Sequence, residues 1–217
     1  MSSMDPLANS AWSRPATVAG FMQSAPNDVL LRYAERERRR APTARALDLG
    51  CGAGRNALPL VRSGWGVVGV DLSWPMLTAA ASRAREEATH RPLQLVLSPM
   101  DALPIRARSI DLVIAHGVWN LARSAAEFRR ALAAAARVAR LGAGLFVFTF
   151  SRNTLPPGIQ PVAGEPFVFT EFSGEPQCLL TEQQLVSELA AAGSALDPLV
   201  PLTTARAPVR CQPAPCP

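Results

Sequence analysis

The sequence predicts an α/β fold: a three-layer sandwich around a doubly wound, mostly parallel sheet. Three observations carry this. Short runs of Val, Ile, Leu and Phe alternate with stretches of helical periodicity. The runs are apolar throughout rather than on every second residue, as in strands buried on both faces. Strands that alternate with helices become parallel neighbours, because a parallel crossover needs a connection of helix length.

Taken in order, residues 1–25 are polar and interrupted by Pro6, Pro15 and Gly20, and read as an irregular arm or lid. From Asn27 to Arg40 the apolar positions Val29, Leu30, Tyr33 and Ala34 recur at helical spacing, with Asn27 as the cap. "ARALDL" is the first strand. "AGRNALPLVRSG" reads as a helix that Gly64 closes, with Pro59 as an objection near its middle. "GVVGVD" is the second strand. "SWPMLTAAASRAREEA" is a helix with Ser73 as N-cap and Pro75 in the first turn, where a missing N–H costs nothing. "LQLVLS" and "SIDLVIAHG" are the third and fourth strands. "SAAEFRRALAAAARVARLGAG" is a long helix ending at glycines, and "LFVFTF" the fifth strand. Residues 151–178 are rich in Pro and Gly and carry Phe167, Phe169 and Phe172; so long a loop is expected to be a substrate-side flap or hairpin. A further helix is capped by Thr181, and "ALDPLVPLT" is a candidate sixth strand interrupted by prolines. The expected division is an arm over 1–25, one domain over 26–203 containing the 151–178 insert, and an atypical tail over 204–217.

The 217 residues suit one such domain. The net charge of +5 raises the question of nucleic acid, but all 22 basic residues are Arg, which points to coding bias. The densest cluster, Arg36, Arg38, Arg39 and Arg40, sits at a helix end, where it meets the negative end of the dipole. Nucleic acid is therefore not the expected partner. The four cysteines, Cys51, Cys178, Cys211 and Cys216, show no CxxC spacing, and His90 and His116 do not complete a zinc set. No metal is expected, and free thiols fit a reducing cytoplasm. The first residues carry no signal-like apolar segment, and no apolar run approaches the roughly 20 residues that span a bilayer.

Chemistry concentrates in "DLGCGAG". Gly50, Gly52 and Gly54 allow a sharp turn and a close approach of backbone to a ligand. The spacing is G-x-G-x-G, whereas a dinucleotide fingerprint is G-x-G-x-x-G. Asp48 stands two positions before the first glycine. A carboxylate there repels a pyrophosphate and attracts an ammonium, so the site suits a nucleoside with an amino-acid tail. This disfavours a nicotinamide oxidoreductase. Asp71 ends the second strand 21 positions after Gly50, near the ~20 expected of an acidic ribose clamp. Cys51, between two glycines, reads as a small filler.

From about Ala44 to Phe150 the chain resembles the class I S-adenosylmethionine-dependent methyltransferases, on "ALDLGCGAGRNALPLVRSGWGVVGVDLSWPML". The resemblance implies a Rossmann-like sheet, S-adenosylmethionine as cofactor, and a set of roles. Asp48, Gly50, Gly52 and Gly54 would hold the methionine end, and Asp71 the ribose hydroxyls. Leu72 and Met76 would pack around adenosine. Asp101 would accept from the adenine amine and Ala102 N–H would donate to the ring. His116 would lie beside the methionine part and is a weak candidate general base. Trp119 and Asn120 would face substrate. "GRNALPLV" is similar to the corresponding helix start in methyltransferases of the thiopurine and tellurite-resistance type, which implies a small-molecule acceptor. RNA or protein acceptors, or a cofactor-binding protein with impaired catalysis, are the alternatives. The tail departs from the family: from Thr203 on, prolines oppose the expected seventh strand. The sheet is therefore expected to lack its last strand, with a tail truncated or shifted in reading frame.

Overall fold

In a computed structural model of the chain, residues 5–87 and 93–197 are described. The elements run α1 (Pro15–Gln23), α2 (Asp28–Arg38), β1 (Arg45–Leu49), α3 (Ala57–Arg62), β2 (Gly66–Asp71), α4 (Trp74–Glu86) and β3 (Leu93–Leu97). They continue with β4 (Ile110–His116), α5 (Ala125–Val138), β5 (Ala139–Phe148), β6 (Val168–Phe169), β7 (Gln177–Cys178) and α6 (Glu182–Ala191).

The main sheet has the order β3-β2-β1-β4-β5, and every pairing in it is parallel. The order reverses between β1 and β4, so their carboxyl ends form the crevice in which ligands of such sheets bind. Neighbouring strand residues feed opposite faces. Leu112 and Ile114 pack with Leu30 and Ala34 of α2 and Leu60 of α3, whereas Val113 and Ala115 pack with Phe128 and Leu132 of α5. Both layers exclude water, and together they make the expected sandwich.

The local signals for α2 and α4 hold. Asn27 Oδ1 accepts from Leu30 N, and Ser73 Oγ accepts from Met76 N. Four readings change. The arm is helical: a 3-10 turn (Ala11–Ser13) precedes α1, and Pro15 starts that helix rather than breaking it. α3 begins only at Ala57, because Gly52 and Gly54 at φ +53° and +78° cannot join a right-handed helix. Pro59 then falls in its first turn, and the objection to it disappears. α5 stops at Val138, and β5 starts at the next residue. The expected helix-ending glycines lie in β5 instead. Ile110 pairs with Ala139 but Leu112 with Gly144, so β5 bulges at Leu141 and Gly142 (φ +75°), where Arg140 reaches Asp111 at 3.2 Å. Finally, the 151–178 segment contains a short hairpin, β6 against β7, whose strands sit in the core. Phe167, Val168, Phe169, Cys178, Leu179 and Leu180 are all buried.

Among the described residues β5 pairs only with β4 in the main sheet, and residues 194–197 form no strand. The rest of the candidate sixth strand, the tail, His90, Cys211 and Cys216 lie outside the described residues. The Arg36–Arg40 cluster is engaged at the helix end: Glu37, buried, pairs with Arg36 at 3.3 Å and with Arg40 at 2.6 Å. Among the described residues no helix is long and apolar enough to cross a membrane.

Candidate cofactor site at the switch point

The glycine loop leaves β1 at the reversal of strand order. Gly50 and Cys51 both donate to the Val70 carbonyl, at 2.8 and 3.0 Å, which ties the turn to β2. Gly50 has φ +66°, and a Cβ there would lie 2.8 Å from Val118. Only glycine fits both constraints. Cys51 fills the space beside Gly69, whose missing Cβ would meet the sulfur at 2.8 Å. Burial, with Asp48 and Asp71 adding to it, pushes this thiol well above its ordinary range.

Asp71 closes the loop. Its Oδ2 accepts from Gly52 N at 2.8 Å and its Oδ1 from Ser73 N at 2.9 Å. Burial raises its pKa, against the lowering by these two hydrogen bonds. A carboxylate oxygen accepts more than one hydrogen bond, so both retain capacity for a ligand hydroxyl.

Asp48 is the charge the fold pays most to bury. It is 1% exposed, and its Oδ2 has no hydrogen-bond partner. Desolvation pushes its pKa up to about 7; the Arg55 guanidinium opposes this and Asp71 adds to it. A buried, unsatisfied carboxylate at the head of a glycine cradle needs a cationic donor. The residues present therefore fit a nucleoside with an amino-acid tail: an orphaned oxygen for the ammonium, a cradle that side chains would fill, and an acidic strand end for the ribose.

Met76 is buried and packs with Ala53 and Ala79 beneath Val18 and Phe21 of α1. Leu72, half-buried, follows Asp71. The α1 helix thus covers the loop, pinned by Ser13 Oγ to Ser73 Oγ at 2.9 Å and by the Phe21 ring 3.4 Å from the Cβ position of Gly52.

His116 ends β4 beside this cluster. Its ring stacks on Phe148 at 4.5 Å between centroids. Nε2 faces Asn27 Nδ2 at 3.0 Å, and Nδ1 faces Arg55 Nη2 at 3.1 Å. Burial first, and Arg55 second, bring its pKa down to about 4, so the imidazole is neutral across the ordinary range.

Four of the expected site residues, Asp101, Ala102, Trp119 and Asn120, have protein partners in the ligand-free chain. Asp101 accepts from Arg130 Nε at 3.0 Å, and Ala102 N–H turns back to the Pro99 carbonyl at 3.3 Å. Trp119 and Asn120 do not face a substrate space; both are 2% exposed. Trp119 stands edge-on to Phe128, and Asn120 donates to Gln177 of the hairpin at 3.3 Å. The turn after β4 points them inward because the 151–178 segment supplies a core there. Arg55 and Asn27 were not anticipated as site residues. Arg55 carries no pattern beyond following Gly54, and Asn27 was legible only as a cap.

The family described as "Methyltransferase domain" matches residues 47–148, the span from β1 to the end of β5. Over this span the chain is similar to the methyltransferase family. The chain is 31% identical over 136 residues to the demethylmenaquinone methyltransferase of Thermobifida fusca strain YX, covering 60% of this chain and 56% of that protein. The chain spans about half the length of the curated relatives it matches. Among solved structures, a SAM-dependent methyltransferase from Methanosarcina mazei superposes with TM-score 0.61 at 21% identity, covering 78% of this chain and 85% of that one. The [4+2]-cyclase SpnF superposes at TM-score 0.60 and 23% identity, covering 79% of this chain and 60% of that one. At these identities the chain shares their fold, and a cyclase among them illustrates that the fold alone fixes no reaction.

Proposed function

We propose that this domain binds S-adenosylmethionine and transfers its methyl group to a small molecule, in the cytoplasm. The observation that carries the reading is Asp48: a buried carboxylate with an orphaned oxygen, at the head of a glycine cradle, has no structural use. It answers an ammonium. Gly50, Gly52 and Gly54 let backbone approach the methionine part, and Asp71 supports the ribose. Leu72 and Met76 border the adenosine, and His116 borders the methionine part. Asp101, released from Arg130, reaches the adenine amine. The bound cofactor supplies a sulfonium methyl that a nucleophile attacks in line. The nucleophile's electron pair forms the new bond to carbon, and the pair of the broken carbon–sulfur bond stays on sulfur. The protein's part is to hold both groups in line and exclude water, which supplies most of the rate effect in such a step. The demethylmenaquinone relatives support a small acceptor.

Calorimetric titration with S-adenosylhomocysteine, with NAD as control, tests this. Saturable binding of the first and none of the second is expected, with Asp71→Ala strongly weakened. Folded protein that binds neither, or an Asp71→Ala variant with unchanged affinity, overturns the assignment.

A further inference from the structure

Resting on that reading, the neighbourhood of His116 identifies the class of acceptor. The argument begins with the proton on the imidazole. Asn27 Oδ1 is committed to Leu30 N as the helix cap, so the amide presents its N–H group to Nε2. Nε2 must then accept, and the single proton of a neutral imidazole sits on Nδ1. But Nδ1 faces Arg55 Nη2 at 3.1 Å, and a guanidinium only donates. Two donors therefore converge with no acceptor between them. The conflict has no protein remedy: among the described residues no carboxylate lies within ion-pair reach of Arg55, which is half-buried with its guanidinium carbon 5.9 Å from the Phe21 ring. An oxyanion lying beside both groups would relieve it.

The surface next to this point is aromatic. His116 stacks on Phe148, which stands edge-on to Phe150 at 6.3 Å, and Phe150 contacts Phe172 at 5.0 Å. Phe148 is 36% exposed at the carboxyl end of β5, beside the crevice. A planar ring laid along Phe148 would bring a ring oxygen to the two donors.

We propose that Arg55 and the Nδ1–H of His116 form an oxyanion site, and that the acceptor is an aromatic compound bound through its ionised hydroxyl, with its ring on Phe148. Arg55 and His116 are specificity-determining residues in this arrangement: they select the ionised form of the acceptor. The ionisable groups around the site are Arg55, Asp48 and Asp71 on the loop side, His116 itself, and Tyr33 of α2, one ring away against Phe146. Arg55 and the imidazole proton are nearest, and both favour the anion.

The test uses 4-nitrophenol, whose ionised form has its own visible absorption, at a fixed pH near the midpoint of its free ionisation, with and without S-adenosylhomocysteine. The full chain is expected to draw the probe into its ionised form. Arg55→Gln should weaken this binding about tenfold or more, the loss of one charge-assisted hydrogen bond. Arg55→Lys, which keeps the charge without the planar fork, should fall between. 4-Nitroanisole, with no ionisable hydroxyl, should bind all three proteins alike. Thermal melting shows that the three proteins fold, and Arg55→Lys, which keeps the positive charge near Asp48, should keep the wild-type affinity for S-adenosylhomocysteine. The proposal is overturned if the wild-type chain leaves the probe's ionisation unchanged, or if Arg55→Gln binds the anion as well as wild type does. It is equally overturned if Arg55→Gln loses S-adenosylhomocysteine but not the probe, since Arg55 would then serve the cofactor's carboxylate. Failure of the wild-type chain to bind S-adenosylhomocysteine would remove the cofactor reading instead, and the probe titration alone would then judge the anion site.

Discussion

The two halves of the sheet are built on different principles. On the side of β1, β2 and β3, the glycine loop and α4 are set by residues within or next to them. Glycines force the loop, Ser73 caps α4, and Asp71 fastens the loop to the next strand. On the side of β4 and β5, the elements depend on distant chain. The α5 helix gives way to a bulged strand, and the core beneath it is completed by a hairpin from residues 151–178. On the proposed reading, the first half holds the cofactor and the second borders the acceptor. A shared cofactor calls for a fixed local solution, whereas the acceptor side is free to be assembled from whatever segment is at hand.

The largest effect that separates the halves is expected at Phe167. If residues 151–178 were a flap, shortening this side chain would cost the fold little. The side chain is 2% exposed and stands edge-on to Phe128 at 5.5 Å. Phe167→Ala should therefore destabilise the protein by about 3–5 kcal/mol, the ordinary cost of a large cavity. Denaturant unfolding measures this. A loss under about 1 kcal/mol would mean that the segment closes over the site after all and that the halves are built alike.

The same contrast accounts for what could be read from sequence. The bounds of β2 and the caps at Asn27 and Ser73 were legible, because a buried parallel strand and an N-cap each leave a signal within a few residues. The orphaned charge of Asp48 was legible as chemistry, since the spacing to Gly50 sets its place. The end of α5 was not, because glycines end helices and permit bulges equally well, and only the pairing with β4 selects the bulge. Nor was α1: its prolines and Gly20 look like breakers, and it forms because Val18 and Phe21 pack on Ala53, Met76 and Ala79. The inward turn of Trp119 and Asn120 was hidden for the same kind of reason. A residue after a strand end faces the crevice or the core according to what covers it, and here the covering chain comes from residues 151–178. Arg55 lay beyond reach because its meaning comes from His116, distant in sequence.

The next effect tests whether the cofactor half trades stability for binding. Asp48 has an ordinary value of 3.8 and is pushed up to about 7 in the folded protein. A group whose pKa rises on folding supports the fold fully below its unfolded value. That support is lost as pH climbs through the folded one. The ligand-free protein should therefore lose stability between about pH 4 and 7 through this group. Asp48→Asn should be the more stable protein above pH 7, by on the order of 4 kcal/mol, and match wild type near pH 4. Thermal melts across that range measure it. S-Adenosylhomocysteine affinity should move the opposite way. It should be lost in the variant. In wild type it should rise with pH up to about 7 and then level off, as the ammonium requires the ionised carboxylate. A variant no more stable than wild type at high pH would show that Asp48 is satisfied without a ligand.

The smallest effect belongs where the two halves meet. Asp101 follows β3 on the cofactor side, while Arg130, which holds it at 3.0 Å, comes from α5 on the other. Arg130 is 60% exposed and Asp101 21%. Such a pair contributes roughly 0–1 kcal/mol, so Asp101→Ala should leave stability almost unchanged. Its effect on binding is the informative one. If Asp101 leaves Arg130 to accept from the adenine amine, the wild-type protein should prefer S-adenosylhomocysteine to the inosine analogue, which lacks that amine. Asp101→Ala should then bind the two equally, a change of up to about tenfold for one hydrogen bond. Arg130→Ala, which frees the carboxylate, should keep the preference or sharpen it. If the preference persists in Asp101→Ala, adenine is read elsewhere, and Asp101 serves only to fasten the cofactor half to the helix that supports the other.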